Sequence, residues 1–248
     1  MPANDVLKAA DPKMLEAPQP IASRRHLAGF LLIGGGVIAL GFLAQHRSSG
    51  AAPEHLAEHG QAIHIYLTAI LLDWALFYYC WAGVHRHGGN LDTLTGGLWK
   101  SWKPAAVDLM VALPFWVLWE ATADGVHWLL GASSAKTVDS LLPHSALEVV
   151  IWIATSMTAG FCEEVAFRGY LQRQFQALSR NVVVALFGQG LVFGLFHAYQ
   201  GWKNVIVISV LGVLYGMLAV WRRNLRANTV VHAWADIWSG WLKFVVWK

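Results

Sequence analysis

Two adjacent carboxylates stand in the tract Phe161-Cys-Glu-Glu-Val-Ala-Phe-Arg-Gly-Tyr170, inside an otherwise apolar stretch. Neighbouring residues on a helix point about 100° apart, so Glu163 and Glu164 face different surroundings. Glu164 and Arg168 are four apart, share a face and can pair. That pairing leaves Glu163 without a counter-charge. A carboxylate of this kind can act as a general base on a water beside it, which then attacks a carbonyl carbon.

An imidazole follows in Phe193-Gly-Leu-Phe-His197, and a second polar pair in His232-x-x-x-Asp236. The midpoint of positions 163 and 197 is (163 + 197)/2 = 180, which falls in the polar turn Ser179-Arg180-Asn181. An antiparallel helical pair turning there brings Glu163 and His197 to similar depth. His232 and Asp236 share a helix face, and a carboxylate at that spacing can hold an imidazole in one tautomer. Each of these groups also has a plain structural reading, as a buried polar pair or a packing histidine.

The elements that position these groups are apolar runs of membrane-spanning length. The 248 residues are 56% hydrophobic and 13% charged, against about 25% charged in a typical soluble domain. There are 14 Trp residues, several near the ends of apolar runs, where amphipathic rings favour the membrane interface. A span needs about 20 mostly apolar residues. Seven candidates fit: 27–45, 62–84, 105–122, 146–166, 182–198, 204–221 and 228–247. This predicts an all-α, polytopic membrane bundle of seven spans, or eight helices if residues 123–145 hide a short interfacial one. Residues 1–25 read as a flexible cytoplasmic tail. Residues 26–248 read as a single membrane domain with its catalytic core at 146–240. Arg24 and Arg25 before the first run resemble a signal peptide, but a run of about 19 residues exceeds the usual 7–15, which favours a retained span.

Thirteen of the 18 Lys and Arg residues fall on the side of the N-terminus, which predicts that this side is cytoplasmic. The net charge of +3 is small and no basic patch is interleaved with aromatics, so nucleic-acid binding is not expected. Cys80 and Cys162 form neither a CxxC nor a disulfide framework and read as core residues; the sharper reading of Cys162 is a nucleophile. Gly190 with Gly194, and Gly212 with Gly216, carry the GxxxG spacing that lets helices approach closely. Ionisable groups inside spans are costly and usually functional. Asp73, Asp108, Glu120 and Glu148 belong to this set, with local structural roles expected.

Taken together, Glu163-Glu164-x-x-x-Arg168, Phe193-x-x-x-His197 and His232-x-x-x-Asp236 resemble the CAAX-protease and bacteriocin-processing family of glutamate-type intramembrane proteases. The resemblance covers roughly residues 146–240. It implies an endopeptidase in a bacterial plasma membrane whose Glu163 and His197 activate a water, while His232 and Asp236 support the oxyanion. Glu164, Arg168 and Phe193 would position these groups. No cofactor is implied. The substrate would be a peptide or membrane protein, prenylated or bearing a leader. The last motif position is often Asn in that family, and an ionised Asp236 cannot donate a hydrogen bond as Asn does. Asp236 must therefore be protonated, orient His232, or ligate a metal.

Two other classes fit the same residues. A membrane metalloenzyme could use Glu, His, His and Asp as ligands, although no His-Glu-x-x-His occurs. A non-catalytic scaffold or immunity protein could use the cluster to fix a binding groove. One tension runs through the scheme, met either by helices four and five projecting into the cytoplasm or by residues 169–179 bending in the interface. His232 lies a few residues past the Arg222–Arg226 turn, whereas Glu163 and His197 lie about 17 residues from theirs. A flat membrane boundary would separate them by more than about 15 Å.

Overall fold

The structure, a computed structural model, describes residues 19–48, 59–131 and 141–246. All regular structure among them is helical: α1 (Arg24–Ser48), α2 (His59–His85), α3 (Leu91–Thr95), α4 (Trp102–Leu129), α5 (Ala146–Glu164), a π-helical segment (Val165–Gln172), α6 (Arg173–Ser179), α7 (Val182–Phe196), a 3-10 turn (Ala198–Gln200), α8 (Trp202–Arg222) and α9 (Arg226–Val246). The expected spans correspond to α1, α2, α4, α5, α7, α8 and α9. Most of the expected tail, and the centre of the 123–145 connection where an interfacial helix was considered, lie outside the described residues. Ile21 and Ala22, near the end of that tail, are tied down. The Gln174 side chain accepts from the Ile21 amide at 3.0 Å and donates to the Ala22 carbonyl at 2.9 Å.

Five helices are long and apolar enough to cross a membrane. Neither α7 nor α9, both expected as spans, is among them; the 15 residues of α7 rise only about 22 Å, short of a hydrocarbon core of about 30 Å. The opposite holds for α5. Residues 169–179, which lie between the expected spans 146–166 and 182–198, continue the helix, so Ala146–Ser179 is one 34-residue rod of about 51 Å. All eight residues of the π-helical segment are buried. They pack with Phe30, Cys80, Leu94 and Phe193 in the main core.

This length removes the depth conflict. Gly169 marks where the rod passes the rim: a Cβ there would meet the Leu94 carbonyl oxygen at 2.6 Å and Leu225 Cδ1 at 3.2 Å. Leu225 donates its amide to Thr95 O at 2.8 Å, so the turn before α9 sits at that level. The α6 helix and the start of α7 therefore project past the rim, and Glu163 and His232 each lie about six residues below it. The expected turn forms. Arg180 is left-handed at φ 55°, and the Asn181 side chain accepts from the Val183 amide at 2.8 Å to start α7. Arg168, one of the thirteen basic residues assigned by sequence to the N-terminal side, is fully buried.

Small residues set the helix approaches. A Cβ on Gly194 would meet Val205 O at 2.5 Å, and one on Gly212 would meet Gly190 Cα at 2.9 Å, so the GxxxG faces join α7 to α8. Gly160 likewise lets α5 close on α9, with the Ala233 amide nitrogen 2.7 Å from where a Cβ would stand. Cys80 and Cys162 are free and fully buried, as core residues are.

At the rim, buried Asp108 of α4 accepts from Arg222 and Arg226, both at 2.7 Å, and from Trp99 Nε1 at 2.9 Å. One carboxylate thus ties α4 to the α8–α9 turn. Asp108→Asn leaves two part-buried guanidinium groups without a counter-charge. A loss of about 2 kcal/mol is expected, read as a lower thermal midpoint in detergent; an unchanged midpoint contradicts the clamp.

Candidate active site

The end of α5, the end of α7 and the first half of α9 converge below the rim. Glu164, fully buried, sits at the centre of the polar contacts. Its oxygens accept from Arg168 Nη1 at 2.8 Å, His232 Nδ1 at 2.9 Å and Asn228 Nδ2 at 3.1 Å. Arg168 is further held by the Gly212 carbonyl at 3.3 Å and by the faces of Phe193 and Tyr215, 4.2 and 4.9 Å from their centroids. Asn228 also donates to Tyr215 O at 2.8 Å. The expected Glu164–Arg168 pair therefore forms, and Phe193 contributes the ring that covers it.

This arrangement fixes the tautomer of His232. A carboxylate paired with arginine only accepts, so Nδ1 of His232 carries the hydrogen and Nε2 points the other way. There it meets Glu163 Oε2 at 3.7 Å and Asp236 Oδ2 at 3.8 Å. The carboxylate hydrogen-bonded to Nδ1 is thus Glu164 from another helix, whereas the four-residue spacing offers Asp236 as one candidate for orienting the ring. Asp236 stands beyond direct hydrogen-bond distance on the opposite nitrogen, and its side chain is 36% exposed. The Asp236 carbonyl accepts from Trp152 Nε1 at 2.7 Å, and at Gly160 the α5 helix comes close to the Ala233 backbone of α9.

His197 closes α7 at φ −96° and ψ 20°. Its Nδ1 lies 2.9 Å from the Phe193 carbonyl oxygen. A carbonyl only accepts, so Nδ1 donates and Nε2 of the neutral ring is left with a lone pair. Glu163 and His197 line one cavity of about 460 Å³. Glu163 Oε2 is buried without a hydrogen-bond partner among the described residues. The two groups that the turn at 180 was expected to bring together do share one chamber.

The chamber is otherwise mostly apolar. One stripe of α1 (Phe30, Ile33, Gly34 and Val37) and one stripe of α2 (Ala69, Leu72, Asp73 and Leu76) form its outer wall. Both follow the i, i+3, i+4, i+7 spacing of a single helix face. Ile33, Val37 and Leu72 are also exposed, so this wall opens to the surroundings of the bundle. Sequence spacing missed two contributors. Asn228 precedes His232 by four residues, a polar periodicity along α9 that was legible. Asp73 was noted as an ionisable group in a span, but no local pattern connects it to position 163. Among the described residues, no three His, Cys, Asp or Glu side chains are grouped as a metal-ligand set.

Residues 145–238 match the family described as Rce1-like, type II CAAX prenyl endopeptidase Rce1-like. The matched segment contains all three motifs and agrees with the resemblance drawn from them. No curated protein and no solved structure matches the chain.

Proposed function

We propose that this integral membrane protein, with its Rce1-like segment at residues 145–238, is a glutamate-type intramembrane endopeptidase. The family match supports hydrolase activity at the level of the family. The observation that carries the finer reading is the unpartnered Glu163 oxygen in a chamber shared with the free Nε2 of His197. Glu163 Oε2 also lies 3.7 Å from His232 Nε2, a long contact that places the imidazole beside the same oxygen.

In the proposed reaction, Glu163 and His197 Nε2 each accept a hydrogen bond from one water. Glu163 takes a proton as the water oxygen attacks the scissile carbonyl. The carbonyl oxygen becomes an oxyanion, and His232 supports it. Because Nδ1–H of His232 is committed to Glu164, donation from Nε2 requires the doubly protonated ring. Asp236 beside Nε2 favours that cation and acts through His232, with no need to donate a hydrogen bond itself. The C–N bond then breaks, and the proton held by Glu163 passes to the leaving amine. A mostly apolar chamber strengthens each of these electrostatic contacts.

The open wall between α1 and α2 favours an apolar, membrane-borne peptide, prenylated or leader-bearing, that enters from the bilayer. The excess of basic residues on the rim with Arg222, Arg223 and Arg226 favours a cytoplasmic location for that rim and an N-terminus inside.

The test is turnover. Protein reconstituted in liposomes is incubated with an apolar peptide library, half of it carrying prenylcysteine, and products are read by mass spectrometry. Site-specific cleavage is expected, with His197→Phe lowering it by about 10²-fold or more. Absence of any product that depends on His197 overturns the mechanism.

A further inference from the structure

Asp73 presents a charge problem that the catalytic cycle above does not use. It lies in the middle of the Ala62–His85 span, about 17 Å of helix from either end. A short aspartate side chain cannot reach the interface from there. It faces the chamber that holds Glu163 and His197. No hydrogen bond or ion pair holds it among the described residues, and the charged groups that act on it are Glu163, Asp236 and His232. The cations nearby are committed elsewhere: Arg168 bonds Glu164 and the Gly212 carbonyl, and His232 bonds Glu164 through Nδ1. Asp73 also lies outside the segment that matches the family.

An ionisable side chain in mid-span is expensive unless it pairs or lines a functional path. Asp73 lines the path but has no cation of its own. The geometry points to Asp73 as a specificity residue, whose carboxylate receives a Lys or Arg side chain of the peptide bound in the chamber. This rests on the chamber being the substrate site of the endopeptidase. It narrows the substrate class to apolar peptides that bear a basic residue close to the scissile bond. A substrate with an acidic group at the same position meets Asp73 as a like charge in an apolar surrounding and is rejected.

Two measurements separate this inference from the hydrolytic reading. In the first, a cleaved library peptide is resynthesised with Lys, Gln or Glu at each position flanking the cut, and kcat/KM is compared in liposomes. The wild-type protein is expected to prefer Lys over Gln by at least about tenfold and to disfavour Glu further. Asp73→Asn is expected to level the Lys-to-Gln ratio, and Asp73→Lys to invert it toward Glu, an inversion that a misfolded variant cannot produce. In the second, binding is measured in the Glu163→Gln background by fluorescence anisotropy in lipid nanodiscs. The probe is a labelled Leu/Ala peptide with one central Lys, Gln or Glu. The Lys peptide is expected to bind most tightly, and adding Asp73→Asn is expected to abolish that order. Cleavage that survives Glu163→Gln overturns the proposed catalysis and leaves the charge preference standing. A Lys preference that is absent in the wild type, or unchanged in Asp73→Asn, overturns the role of Asp73 alone.

Discussion

Glu163→Gln is expected to lower kcat by about 10³-fold or more while leaving KM and the thermal midpoint close to wild type. The first half of this follows from chemistry. An amide is nearly isosteric with the carboxylate but cannot take a proton from water, and general-base catalysis alone contributes about 10²–10⁴-fold. Loss of the group that later returns the proton to the leaving amine adds to this. The second half follows from the contacts. Glu163 carries no hydrogen bond through Oε2, Arg168 is paired with Glu164, and the contact of Glu163 with His232 Nε2 is long at 3.7 Å, so the substitution breaks no close structural pair. Single-turnover cleavage in liposomes, with a melting curve on the same preparation, checks both halves. Wild-type turnover by a normally folded variant would remove Glu163 from the mechanism.

Glu164→Ala is expected to fail in the opposite way, through stability first. Both Glu164 and Arg168 have fully inaccessible side chains. Removing the carboxylate strands a buried guanidinium, a loss of about 3–5 kcal/mol by analogy with broken buried ion pairs. It also deprives His232 and Asn228 of their acceptor. The double variant Glu164→Leu with Arg168→Met removes both charges at similar volume. Much of the stability should return, because replacing a whole buried pair by apolar groups is often neutral or better. Activity should not return, since His232 has then lost the bond that fixes its ring. Melting curves and turnover for the two single variants and the double form a cycle that separates the pair's coupling from its separate parts. A double variant that regains full turnover would mean that Glu164 serves packing and not the orientation of His232.

These two outcomes divide the adjacent glutamates by environment. Glu163 faces the chamber and Glu164 faces the helix bundle, as about 100° of rotation between consecutive residues requires. That division was legible in the sequence, because both the rotation and the pairing of Glu164 with Arg168 are properties of one helix. The same holds for the turn at 180. Its polar residues interrupt two apolar runs, and Asn181 supplies the side-chain acceptor that begins α7. Arg180 takes the left-handed conformation that ends α6. Equal spacing on both sides of that turn then carries Glu163 and His197 into one chamber.

Whatever lies within a few turns of one chain segment could be read from residue order: the presence of the helices, the faces that carry charge, and the pairing of groups across one short turn. Which helix reaches which, at what height, and how far α5 extends depended on contacts between distant segments. Glu164 meets His232 across 68 positions because Gly160 allows α5 and α9 to touch. The rod of α5 extends past the rim because residues 165–172 stay helical while buried on all sides, a choice made by the packing of α1, α2, α3 and α7 around them. Asp73 enters the chamber because a stripe of α2 faces it. Periodicity reports which residues share a face; the partner that covers that face is selected by shape and contact between segments far apart in the chain, and that information is not local.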